Sequence, residues 1–168
     1  MYVCRTVAIS CDLLYKYFMY ESIQFIEGPR TEDEKEIAGV LRMFVKGVAL
    51  RDVVMLKSLF TRDALIQSAA AGQGKFLKRN EYFSEIPCIL HKILFYHISD
   101  IVIDVRRIQG NLVARVPCYI HWILLGHRVS GGARYTFTLV RLQGSWLIEK
   151  MAMGVTDALG SQHGEVMK

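Results

Sequence analysis

Between Thr31 and Val48 the apolar residues return every three or four positions. Ile37, Leu41, Phe44, Val45 and Val48 make one stripe of a helical wheel. Thr31 stands ahead of the stripe as an N-cap, and acidic residues fill the first turn, where they suit the helix dipole. A second, short helix is predicted over "RDVVMLKSLFTRDA", with Asp52 near its start, followed by a brief strand at "LIQS" and a loop at "AAAGQGK". A third helix over "LKRNEYFSEI" should stop before Pro87. From His91 onward the pattern changes to long strands: His91 to Val105, Asn111 to Leu125, Arg134 to Gln143, and Trp146 to about Met153. Gly110-Asn111, Gly131-Gly132 and Gly144-Ser145 mark the expected turns. Helices placed ahead of an antiparallel sheet predict an α+β domain.

The hairpin "FTLVRLQGSWLIEKM" departs from simple alternation. Phe137, Leu139 and Arg141 share one face, while Thr138, Val140 and Leu142 on the other are hardly more polar. A sheet with one wet side should alternate apolar and polar residues. Both faces of this hairpin therefore need cover, from a second subunit or from the N-terminal segment folded back.

Residues 1 to 30 read as an extension with Leu13, Leu14, Tyr17, Phe18 and Phe25 at helical spacing, closed by "EGPR". It is either a docking helix or a non-native upstream start. The core runs from 31 to 155, and 156 to 168 form a small, polar tail expected to fray.

The chain has 168 residues, 52% of them hydrophobic, and a mean hydropathy of +0.23. That apolar excess calls for a partner subunit, a ligand cavity or a membrane. Stretches such as "WILLG" fall far short of the ~18 apolar residues that suggest a spanning helix. Asp12 and Lys16 interrupt the N-terminal apolar run, and no small-residue cleavage site follows, so a cytoplasmic location is expected. Cys4, Cys11, Cys88 and Cys118 have neither C-x-x-C spacing nor a histidine pattern, which argues against structural zinc and against a disulfide framework. The net charge of +5 is scattered, so nucleic-acid binding is not indicated.

The segments "VALRDVVMLKSLFTRDALI", "KRNEYFSEI", "GNLVARVPCYI" and "GARYTFTLVRLQGSWLI", in this order, resemble the nuclear transport factor 2-like superfamily, in particular its SnoaL-like and ketosteroid-isomerase-like branch. The resemblance covers about Thr31 to Met153. It implies a cystatin-like roll: N-terminal helices packed in a strongly curved antiparallel sheet, a cone with a central pocket. It also implies a homodimer through the outer face of the sheet, with Thr138, Val140 and Leu142 at the interface.

The catalytic groups of the steroid isomerases are missing where the resemblance would put them. Ser68 falls at the place of the carboxylate base, Phe44 at that of the tyrosine, and Thr138 or Phe137 at that of the strand acid. None can take a proton or donate one as required. Asp63, near the missing base, reads as a turn residue.

The remaining polar groups are His97 and His121 on neighbouring strands, Tyr82 and Tyr135. The mixed set Arg115, Tyr119, His121 and Ile123 puts His121 outward, whereas His97, in phase with Phe95 and Ile101, is expected to face in. His97 is thus the one candidate base. The expected pocket lining is Phe44, Tyr82, Phe95, His97, Trp122 and Tyr135. His91 and His97 on one strand do not aim at a common ion, so no metal and no cofactor are expected. The function expected is binding of a small apolar or aromatic ligand. The alternatives are an isomerase, dehydratase or cyclase with His97 as base, and a non-catalytic dimerisation domain.

Overall fold

The computed structural model describes residues 23–67, 75–124 and 130–154. Strand β1 (Ile23–Phe25) comes first, then helices α1 (Glu32–Leu50) and α2 (Val53–Ser58). Strands β2 (Phe60–Gln67) and β3 (Phe76–Lys78) precede α3 (Arg79–Glu85) and the single turn α4 (Pro87–Leu90). Five further strands follow: β4 (Ile93–Ile101), β5 (Asp104–Ile108), β6 (Asn111–Leu124), β7 (Ser130–Leu142) and β8 (Ser145–Met153). The eight strands form one strongly curved, unclosed sheet in the order β1-β4-β6-β7-β8-β2-β3, with β5 beside the first half of β6. The α+β class and the helix-in-curved-sheet architecture are as the sequence predicts.

Helix α1 starts where its cap residue stands. Glu34 N–H donates to Thr31 Oγ1 at 3.2 Å, and Thr31 N–H donates back to Glu34 Oε2 at 3.0 Å, a capping box. These backbone donors, Arg30 first and then Thr31, hold the Glu34 carboxyl below its ordinary value. Ile37, Leu41, Phe44, Val45 and Val48 are buried against the sheet. A Cβ on Gly47 would meet the Leu56 side chain at 2.8 Å, so this glycine lets α2 close on α1. The N-terminal end of α1 is tied to the last hairpin: Asp33 accepts from Arg141 Nη1 and, at 3.2 Å, from Trp146 Nε1.

The inner sheet face carries Ala114, Val116 and Ile120 from β6, Phe137 and Leu139 from β7, and Trp146, Ile148 and Met151 from β8, all buried. Removing each such side chain from water contributes about 1.5–3 kcal/mol. Tight turns at Gln109-Gly110 (φ 49° and 86°) and Gln143-Gly144 (φ 50° and 84°) close two hairpins, one residue earlier than the sequence suggests. Two successive positive φ values match the twist of the strands they join.

Four expectations are corrected. Phe25 belongs to a strand pairing parallel with β4, not to a helix; residues 1–22 of the extension and 155–168 of the tail lie outside the described residues. The predicted His91–Val105 strand is two strands, because Asp100 adopts φ 53° and bends the chain before β5. Leu65 to Gln67 are the end of a longer strand, in whose middle Asp63 is exposed and caps no turn. Helix α3 stops at Glu85, before Pro87 as expected, and Pro87 opens α4 at the first-turn position proline tolerates. Gly131 and Gly132 form no turn; they pair with Trp122 and His121 inside β7.

Candidate functional site

Phe44, projecting from α1, touches three rings: Phe137 with centroids at 5.5 Å, Phe60 at 6.1 Å and Tyr96 at 6.1 Å. Phe83 of α3 extends the cluster, 5.4 Å from Phe60 and 5.1 Å from Tyr82. These edge-on and tilted geometries are those aromatic rings prefer.

Tyr82 from α3, Tyr96 from β4 and Tyr135 from β7 lie within electrostatic reach of one another inside this shell. Burial, then Tyr135, pushes the Tyr82 hydroxyl far above its ordinary range. Burial, then Tyr82, Tyr135 and Cys118, does the same to Tyr96. Tyr96 keeps some exposed surface, yet its hydroxyl is surrounded deeply enough for desolvation to dominate. The Cys118 thiol is pushed up to about 12 by burial and then by the Asp100 carboxylate. Tyr82, Tyr96 and Cys118 are therefore neutral near pH 7. The phenols can donate hydrogen bonds into the interior, and the thiol is no nucleophile.

Of the residues expected at a pocket, Phe44, Tyr82 and Tyr135 are buried in the core, and Trp122 packs half-buried against it. Trp122 lies across Gly131, where a Cβ would come within 2.6 Å of its Nε1. Phe95 registers with Ile123, and its side chain lies outside the described set. Ser68 also lies outside it. Tyr96, absent from the expected lining, is central.

His97 does not face in. It pairs directly with His121, and residues directly opposed in an antiparallel ladder share a face. Ile98, its neighbour along β4, is fully buried inside. The error comes from counting by twos back from Ile101, since the irregularity at Asp100 changes the phase. On this outer face the His97 and His121 rings are 5.8 Å apart, and Tyr119 packs on His121 at 4.4 Å. Ser99 Oγ stands 3.3 Å from His121 Nε2. His97, Ser99, His121 and Trp122, with Gln24, Ile123 and Gly131, border an open depression of about 400 Å³.

Of the expected interface residues, Thr138 is half-buried, Val140 is 9% exposed and Leu142 is 48% exposed within the single chain. No described helix is long and apolar enough to cross a membrane.

No family model matches this sequence, and no curated protein matches it at the sequence level. Solved structures match its fold. One is a Xanthomonas campestris protein provisionally named as a calcium/calmodulin-dependent protein kinase II association domain. It is 16% identical over 81% of this chain and 96% of its own, with a TM-score of 0.61. A second, a provisionally named scytalone dehydratase from Novosphingobium aromaticivorans, is 16% identical over 81% of this chain and 94% of its own, with a TM-score of 0.57. A third, a provisionally named ketosteroid isomerase from Shewanella frigidimarina, is 14% identical over 71% of this chain and 94% of its own, also at 0.57. The chain has the nuclear transport factor 2-like, cystatin-like fold. Fold alone carries no activity.

Proposed function

We propose that the chain binds a small apolar or aromatic molecule bearing an oxygen acceptor, in the interior of the curved sheet between α1, α3 and β4–β7. The observation that carries this reading is the gathering of Tyr82, Tyr96 and Tyr135, each from a different element, within an aromatic shell where burial keeps the Tyr82 and Tyr96 hydroxyls protonated. Binding needs apolar surface and a few convergent donors, which this set supplies. Catalysis by His97 loses its support, because that imidazole is on the far side of the sheet from these phenols.

The test is a titration of 2-naphthol followed by tryptophan fluorescence. Losing one donor hydrogen bond of about 1 kcal/mol predicts roughly fivefold weaker binding in Tyr82→Phe, Tyr96→Phe or Tyr135→Phe. Unchanged affinity in all three variants, or no binding by the wild type, would sink the proposal.

A homodimer through the outer face is a second proposal, favoured by Leu142 and Leu65, which are 48% and 41% exposed on that face. Native mass spectrometry should then give twice the 19.2 kDa chain, 38.4 kDa, and a mass of 19.2 kDa alone would refute it.

A further inference from the structure

We propose that His97 and His121 form a two-imidazole site for a divalent transition-metal ion of the zinc and nickel class, on the outer face of the sheet. This is independent of any ligand inside.

The backbone register brings the pair together. β4 and β6 run antiparallel with His97 opposite His121, and the rings lie 5.8 Å apart, tilted by 46°. With zinc–nitrogen bonds of about 2.0–2.1 Å, two imidazoles on one tetrahedral ion have centroids roughly 5 Å apart, and wider angles increase the spacing. The observed separation of 5.8 Å is close to this spacing.

The surroundings orient the rings. A Ser99 contact at one nitrogen of His121 leaves the other for an ion, the arrangement in which ligating histidines are usually held. The Tyr119 ring supports His121 from the side. Gly132, directly across from His121, projects no side chain into the approach, and a Cβ there would come within 2.5 Å of the Tyr119 ring. Among the described residues no cluster of three or more His, Cys, Asp or Glu side chains occurs, so water would fill the remaining positions. Two neutral nitrogen ligands favour zinc, nickel or copper over magnesium or calcium. With half the ligands of a structural zinc site, and Arg134 across from Tyr119 as an adverse charge, a Kd on the order of 10 µM is expected.

Isothermal titration of the full chain with zinc chloride, repeated with nickel sulfate, tests this. One ion per chain is expected. His97→Gln and His121→Gln, which keep a polar side chain of similar length, should each weaken binding at least tenfold. Ser99→Ala should weaken it by about tenfold, the scale of a lost supporting hydrogen bond. His91→Ala should leave it unchanged. Because the variants could disturb the sheet, nickel is also added to the unaltered chain, where paramagnetic broadening should reach the His97 and His121 ring protons first. No binding up to about 1 mM, a factor of roughly 100 above the expected Kd, would overturn the proposal. So would undiminished affinity in the His97→Gln, His121→Gln double variant, or broadening that begins at other histidines.

Discussion

The two faces of the sheet at β4, β6 and β7 differ more than their sequences do. Tyr96 and His97 are adjacent, yet they are divided between an aromatic interior and an open polar surface. Inside, desolvation drives phenols and a thiol to their neutral forms. Outside, the imidazoles meet water across an open depression. Strand parity alone makes this separation, so a single-residue phase error exchanges the two chemistries.

The largest expected contrast comes from neighbours on β7. Phe137→Ala should cost about 3–5 kcal/mol in urea unfolding, because the ring is fully buried and touches Phe44. Thr138→Ala, one position away and half-buried on the other face, should cost less than about 1 kcal/mol. Equal losses would break the division into a packed side and an open one.

Alkali should act on the inner face. The folded thiol of Cys118 is raised to about 12, so it keeps its proton where the unfolded thiol, near 9, has lost it. This contribution is complete below pH 9 and declines as pH rises toward 12, by about 1.4 kcal/mol per pH unit. The tyrosines, also raised, add to the decline only above their ordinary value of 10.0. Urea unfolding across pH 8 to 10 should show this loss beginning near pH 9 in the wild type, and Cys118→Ala should flatten it. A pH-independent wild type would contradict a desolvated interior.

The smallest contrast is between the two glycines. A Cβ on Gly131 meets the Trp122 ring at 2.6–2.9 Å, whereas one on Gly132 meets the outer ring atoms and hydroxyl of Tyr119 at 2.5–2.8 Å. Trp122 is wedged against the core, so Gly131→Ala should cost about 1–3 kcal/mol. Tyr119 can swing outward, so Gly132→Ala should cost under about 1 kcal/mol and disturb His121 more than stability. Thermal unfolding of both variants decides the order.

What could be read from the sequence was local. Thr31 and Asp52 announce α1 and α2 because each cap bonds a backbone amide within three residues. The apolar alternation of β6 places His121 outward correctly, since 14 residues of unbroken strand keep one phase. Strands β1 and β3 are three residues each, too short to carry a period, and exist through partners distant in sequence. Gly131-Gly132 carries a turn signature, but its cause is two rings from the neighbouring strand. The approach of His97 to His121 depends on the Asp100 bend and on a register that no local pattern encodes.

The sheet finishes at both ends of its strand order in three-residue strands, β1 beside β4 and β3 beside β2. A long exposed edge would be a template for strand addition and for aggregation. Among the described residues the two end strands themselves offer another chain only three residues each, and Lys78 at the end of β3 adds a charge that discourages pairing further. At these two ends of the strand order, edge-to-edge growth in a crowded solution therefore has little to start from.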